Sequence, residues 1–394
     1  MMILSTAPLR KALMKKLPLL AIVFAASLIF IFPIQAQAQA PKMNPAVGDT
    51  LDTTPPLAHL SPALRRKDIA KAMRKVGDWE LNRTQPYFDQ DWTFAALYAG
   101  FMAASKSLPD PRYEKAMLAM GEKFQWKLGP RLAHADDQAI GQTYLELYVT
   151  HRDLRIIARL RNQFDQLMKT PDDPAKPVWW WCDALFMAPP VWARLSKATG
   201  EKSYLDYMDH EWWITSNLLY DPQEHLYSRD DTFLNKHEAN GKKIFWSRGN
   251  GWVMAGLARV LEAMPEDYPA RAKYLYQFRQ MAEKIASLQG SDGLWRPGLL
   301  DAGSYPLPEV SGSGFFVYAL TWGIHHGILD RATYLPVVQK GWAGLLTKIY
   351  KDGRLGCIQP IGAAPGDFKP TSSYVYGVGA FLLAGSELHS IATN

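Results

Sequence analysis

The chain is poor in the residues that build metal and disulfide scaffolds. Only two cysteines, Cys182 and Cys357, occur in 394 residues. No Cys-x-x-Cys and no His-Glu-x-x-His is present, so a zinc site has no support, and no metal or organic cofactor is implied. Two cysteines in a core of this size read as free thiols rather than as a bridge. An excess of one charge is also missing. The formal charge is +6, but Arg10, Lys11, Lys15 and Lys16 carry four of those charges in a segment without acids, and the other 40 basic residues face 38 acidic ones. A nucleic-acid partner is therefore not expected. Long alternating strand patterns are absent, which argues against a sheet protein.

What is present begins with an export signal. The basic segment precedes an apolar run, Leu17 to Phe32, too short for a comfortable membrane span, and Ala-Gln-Ala sites follow it. Residues 1–38 read as a signal peptide cleaved after Ala38, with 39–63 a Pro-rich N-terminal extension and 64–394 the main folded domain. The expectation is a periplasmic or secreted protein, free of the membrane after cleavage. Its oligomeric state is not readable from pattern.

From residue 64 onward apolar residues recur at three-and-four spacing in twelve segments, roughly 64–80, 91–107, 111–128, 136–150, 153–169, 180–198, 201–219, 247–263, 268–289, 310–328, 332–350 and 373–391. The odd segments carry charged stripes. The even ones, such as Gly251-Trp252-Val253-Met254-Ala255-Gly256, are apolar nearly all round. A helix without a polar face is buried, so the alternation predicts an all-α fold, an (α/α)6 barrel of six helical hairpins with an inner ring inside an outer one. Inner helices that run the same way bring their starts to one face.

Those starts hold the polar and aromatic oddities: Asp91-Trp92, Asp136-Asp137, Trp181-Cys182-Asp183, Ser247-Arg248-Gly249-Asn250, Ser311-Gly312-Ser313 and Ser373-Tyr374. Helix N-termini favour an anionic ligand, and rim indoles such as Trp92, Trp181 and Trp252 suit the C–H faces of sugar rings, so an acidic sugar is expected. Asp183, among tryptophans, is expected to stay protonated near neutral pH as a general acid. Its alternative role is an ordinary N-cap. Of Asp136 and Asp137, one is expected to cap its helix and the other to face inward, with Asp137 favoured as the inward member. Arg248, between glycines, offers a fork for a carboxylate, and Trp252 lies one turn on along the same face. The nine histidines avoid the inner-helix starts, His134 coming nearest, which weakens any mechanism that needs a histidine base.

Trp181-Cys182-Asp183-Ala184-Leu185-Phe186-Met187-Ala188, Trp246-Ser247-Arg248-Gly249-Asn250-Gly251-Trp252 and Tyr376-Gly377-Val378-Gly379-Ala380-Phe381-Leu382-Leu383-Ala384 together resemble glycoside hydrolase family 105. This is the family of unsaturated rhamnogalacturonyl hydrolases, sister to the family 88 unsaturated glucuronyl hydrolases, and the likeness spans residues 65–394. The resemblance implies removal of the 4,5-unsaturated uronic acid left at the non-reducing end of lyase-generated oligosaccharides, rhamnogalacturonan fragments first. It implies that Asp183 protonates C4 of the vinyl ether and helps water add at C5, assisted by Asp137 or its neighbour Asp136. It also implies that Arg248 and Trp252 bind the unsaturated sugar and that Trp181 forms a wall. One departure stands out: Ser228 occupies the position of a family histidine, leaving His225 or Arg229 to take that sugar contact.

Three other readings differ in class. A family 88-like glucuronyl hydrolase acting on ulvan, gum or glycosaminoglycan fragments shares the chemistry. A lyase would need Tyr374 or Tyr376 as base, and a non-catalytic oligosaccharide-binding protein would use the same aromatics without needing Asp183.

Overall fold

The computed structural model describes residues 44–170 and 176–394. The expected signal peptide and the first residues of the extension lie outside them. Fourteen helices are present among the described residues: α1 (Arg66–Thr84), α2 (Trp92–Ser107), α3 (Arg112–Lys123), α4 (Ala135–Gln138), α5 (Gly141–His151), α6 (Arg155–Leu167), α7 (Ala184–Met187), α8 (Pro189–Thr199), α9 (Lys202–Leu219), α10 (Ser247–Ala263), α11 (Arg271–Ser287), α12 (Val310–His325), α13 (Arg331–Leu346) and α14 (Val375–Ile391). Each of the twelve expected segments contains a helix. Two inner segments are split, 136–150 into α4 and α5 and 180–198 into α7 and α8. At the second break Pro189 and Pro190 lack the N–H groups that would continue the ladder.

The inner ring is α2, α4–α5, α7–α8, α10, α12 and α14, closed by α14 packing on both α12 and α2. The outer helices α1, α3, α6, α9, α11 and α13 lie against it. The sequence dictates which is which. In α6 the buried Ile156, Ile157, Leu160, Phe164 and Leu167 form one stripe, whereas α10 is buried from Ser247 to Leu261 without interruption. Inner helices need close approach on every side, and glycine supplies it. A Cβ on Gly379 would lie 2.2 Å from the Ala96 carbonyl oxygen, and one on Gly100 2.7 Å from Gly379 Cα. The seam between α14 and α2 therefore tolerates no side chain there.

Three single-turn 3-10 helices and four two-residue strands complete the described elements. β1 (Gly48–Asp49) pairs antiparallel with β4 (Ser373–Tyr374), and β2 (Tyr220–Asp221) with β3 (Leu226–Tyr227). Arg354 forks the Asp49 carboxylate at 2.6 and 2.9 Å, so residues 44–63 are fastened to the barrel rather than free of it.

At the C-terminal end of the inner helices lies a buried ion cluster. Glu146 of α5 accepts from Lys106 of α2, Arg194 of α8 and Arg259 of α10, each at 2.6 Å. Arg259 also donates to Gln142 at 2.6 Å, and Arg194 to Glu262 at 3.0 Å. The cations hold the buried Glu146 carboxyl well below the usual carboxylate range. They also face the negative ends of the inner helices.

Candidate active site

The opposite end gathers carboxylates with a different fate. Asp91 caps α2, accepting from Thr93 N (2.9 Å) and Oγ1 (2.6 Å). Glu309 caps α12, accepting from Ser311 N and Gly312 N. Asp183 stands at the N-cap position of α7, yet its side chain makes no capping bond. The structure thus sets aside the N-cap reading of Asp183. Burial pushes its carboxyl up, against the pull of the Arg229 and Arg248 charges.

Neither Asp136 nor Asp137 caps α4. The His134 ring nitrogen does so, accepting from Asp136 N at 3.3 Å. The expectation that Asp137 is the inward member needs correction. Arg131 grips it, with Nη2 2.6 Å from Oδ1 and the Arg131 N–H 2.6 Å from Oδ2. A Cβ on Gly129 would fall 2.6 Å from Asp137 Cγ, so the loop is shaped around this carboxylate. Asp137 fastens the 129–131 loop. Asp136 instead feels the charges of Asp183 and Asp91, and burial together with these neighbours raises its carboxyl to about 7. Two acids that cap nothing therefore share this face, and burial favours the protonated form of each.

Asp183 is placed by two chain segments locked together. Trp181 bridges to Asp230, and Cys182 N donates to the Arg229 carbonyl at 2.8 Å. The Cys182 thiol donates to Asp183 Oδ2 at 3.4 Å; both cysteines are buried and free. Arg229 Nε lies 3.8 Å from Asp183 Oδ2 and has no hydrogen-bond partner, while Nη1 is fixed on Asp230 at 2.5 Å. The Arg229 guanidinium also covers the Trp180 ring at 5.4 Å. Ser228 is buried, its N–H spent on the Leu219 carbonyl, and His225 turns to the Tyr220 hydroxyl at 3.1 Å in the β2–β3 turn. Of the residues around the missing family histidine, Arg229 is the one beside Asp183. Trp181 packs between His134 (4.9 Å) and Trp180 (4.6 Å), both rings tilted against it, forming a wall on the His134 side of Asp136.

Arg248 is 1% exposed. Its expected role as a fork for a carboxylate is corrected in part, because Nη1 donates to the Gln359 carbonyl (2.6 Å) and Nη2 to that of Pro360 (2.8 Å). Its plane lies over Trp246 (4.3 Å) and Tyr376 (4.9 Å), and Nε has no partner. Arg248 acts first as a fixed positive charge felt by Asp183.

Trp252 shares the helix with Arg248 but is fully buried, packed on Phe186 (4.8 Å) and Phe315 (4.3 Å). It belongs to the core beneath the site, which corrects its assignment as a sugar contact. Trp92 lies above it, half-buried, with its ring stacked on Tyr376 at 5.4 Å.

The sequence reading missed Gln359. Its carbonyl takes Arg248 and the Tyr376 hydroxyl (2.6 Å), its N–H donates to Glu309 (3.1 Å), and its side chain joins Trp246 (2.9 Å) to the Ala364 carbonyl (2.7 Å). Every polar group of this residue is committed to holding the aromatic and cationic wall.

Residues 66–392 match the sequence profile described as Glycosyl Hydrolase Family 88. The chain belongs to this family. The sequence resemblance named family 105 and placed family 88 as its sister; the profile that matches is that of family 88. The chain is 41% identical over 348 residues to an unsaturated 3S-rhamnoglycuronyl hydrolase of Formosa agariphila, covering 82% of this chain and 91% of that protein. It superposes on a glycosyl hydrolase family 88 structure from Bacteroides vulgatus with a TM-score of 0.79 and 32% identity, over 83% of this chain and 99% of the other. A structure described as the polysaccharide lyase BACCELL_00875 gives a TM-score of 0.79 at 34% identity, over 83% and 98%. The family 88 chain is a glycosidase with the expected helical barrel.

Proposed function

We propose that the protein removes a 4,5-unsaturated uronic acid from the non-reducing end of rhamnose-containing oligosaccharides produced by a polysaccharide lyase. The observation that carries this reading is the pair of uncapped acids, Asp183 and Asp136, held where burial keeps a proton available near neutral pH. The name of the Formosa relative supports a uronate joined to rhamnose, the linkage also expected from the rhamnogalacturonan resemblance.

An enol ether is protonated on carbon, which requires an acid still protonated at the working pH. The Asp183 proton passes to C4, and the C4=C5 electrons form the new C–H bond, leaving oxocarbenium character at C5. Water adds at C5 and returns a proton to the Asp183 carboxylate, with Asp136 as its partner. The resulting hemiketal opens at C5–O5 to a 5-keto group, leaving a hemiacetal at C1 that collapses to the aldehyde, breaking the glycosidic C1–O bond and releasing the shortened sugar chain with the proton on its oxygen. The rule linking carboxylate separation to retention or inversion does not apply, because hydration precedes bond cleavage. Arg229 and the Trp180–Trp181 wall receive the acidic sugar, with the buried Arg248 as a fixed positive charge behind them.

A lyase reading finds little support. The Tyr376 hydroxyl is committed to the Gln359 carbonyl, and burial pushes its pKa further from that of a base. The sequence of residues 1–38 supports action outside the cytoplasm after export.

The test is loss of the ultraviolet absorbance of the conjugated C4=C5 bond on incubation with lyase-cut rhamnogalacturonan, ulvan and chondroitin, with Asp183→Asn alongside. Loss that depends on Asp183 supports the reading, and the preferred substrate fixes the neighbouring sugar. Unchanged absorbance across the panel with folded protein overturns it.

A further inference from the structure

The outer wall carries a basic trough that catalysis does not use. On α1, Lys71, Arg74 and Lys75 recur at three-to-four spacing, followed by Trp79 and Arg83 one and two turns on. With Asp78 and Asp352 they line a cavity of about 730 Å³. An adjoining cavity of about 400 Å³ shares Lys71 and Lys75 and adds Lys351 and an apolar lip that includes the exposed Leu57. The two form one continuous groove.

Five cations line this groove against two carboxylates, in a chain whose charge is otherwise nearly balanced, and one of the five, Arg83, is already paired with the buried Glu80. Asp78 is already taken by Arg112 (3.1 Å) and the Tyr113 hydroxyl (2.7 Å). Lys71, Arg74 and Lys351 pair with no carboxylate among the described residues. Trp79 is partly buried, its ring covered by the Arg83 and Arg354 guanidiniums at 5.3 and 5.2 Å.

The groove is a formed part of the fold rather than a loose surface. The turn at Gly353 (φ 114°) presses so closely on α1 that a Cβ there would lie 2.5 Å from the Lys75 carbonyl oxygen. Lys75 Nζ donates to the Lys351 carbonyl at 2.6 Å. The same chain segment continues to Gln359 and Pro360, whose carbonyls hold Arg248.

We infer that this trough is a second, non-catalytic binding site for an acidic polysaccharide, the intact polymer from which the substrate is cut. The inference rests on the proposed function for the identity of its occupant. Carboxylate or sulfate groups along the polymer meet Lys71, Arg74 and Lys351, and sugar faces pack along the Leu57 lip. Double-stranded DNA, with its bases stacked inside the duplex, would satisfy the charges but leave the apolar lip without a partner.

Affinity electrophoresis of the Asp183→Asn protein through gels containing intact polymer tests this. Uncut polymer lacks the unsaturated end, so retardation reports the trough. The arms are pectic rhamnogalacturonan (carboxylates only), ulvan (carboxylates and sulfates), neutral dextran and double-stranded DNA. Retardation by an acidic polysaccharide and not by dextran is expected, about tenfold weaker in Lys71→Glu/Arg74→Glu/Lys351→Glu and weakened by salt. Which acidic polymer binds better names the anionic group. The same triple substitution in the wild-type background is expected to leave turnover of a soluble unsaturated disaccharide unchanged. Equal retardation of the triple variant overturns the inference, and so does DNA binding as strong as glycan binding through the same residues. Retardation that depends on the trough, in a protein that turns over no unsaturated substrate, would sink the proposed function and leave this site standing.

Discussion

The two ends of the barrel both bury carboxylates, and they treat them oppositely. At the C-terminal end Glu146 is surrounded by Lys106, Arg194 and Arg259, and its charge is fully met. At the N-terminal end Asp183 and Asp136 have no capping bonds, repel each other, and see arginines held back by other partners. One cluster fixes charge and holds helices together. The other withholds compensation, which keeps a proton on an acid at neutral pH. Burial alone therefore does not make a carboxylate reactive; what decides is whether the surrounding donors are free to neutralise it.

The comparison predicts that substitutions at the two ends separate activity from stability. Asp183→Asn should lower turnover by about a thousandfold or more while the thermal midpoint at pH 8 holds or rises. A parallel fall in both would mean that Asp183 is structural. Glu146→Ala should do the reverse. It strands buried guanidiniums and should cost about 3–5 kcal/mol by denaturant titration, with the remaining folded enzyme keeping its turnover.

Gln359→Ala tests the support of the site. Losing its side-chain bonds should lower kcat about tenfold with a smaller change in stability. A change confined to KM would show that the 359–360 segment positions substrate rather than Arg248.

The smallest effect concerns Asp136. Its carboxyl is raised from 3.8 to about 7 in the folded protein, so the energetic penalty begins near pH 4, grows with pH, and is complete above about 7. Asp136→Asn should then gain on the order of 1 kcal/mol of stability at pH 8 and nothing at pH 4, allowing for its residual exposure. Wild-type turnover should fall as pH rises far enough to take the proton from the buried Asp183. A stability gain of the variant that is the same at pH 4 and pH 8 would contradict the raised Asp136 carboxyl.

The helical period made the ring legible because inner and outer helices bury different fractions of their surface. It also placed Asp183 at a helix start. The choice between Asp136 and Asp137 was not legible: it depends on Arg131 and on the room left by Gly129, neither of which follows a helical period. Trp252 was misassigned because one face of α10 runs from the site into the core, and spacing does not mark where solvent ends. The carbonyls that hold Arg248 come from residues 359 and 360, over a hundred positions away, so only the closed fold brings them into range.

The seam where Gly379 meets Ala96 and Gly100 has a consequence for how the protein comes into being. It joins the first inner helix to the last, and loop closure over that separation yields nothing until α14 arrives. Until then Trp92 lacks Tyr376 as its stacking partner, and the Gln359 carbonyl lacks the hydroxyl that bonds it beside Arg248. Activity is thereby tied to the synthesis of the C-terminal helix, and a chain truncated before Val375 would have neither a sealed core nor an assembled site.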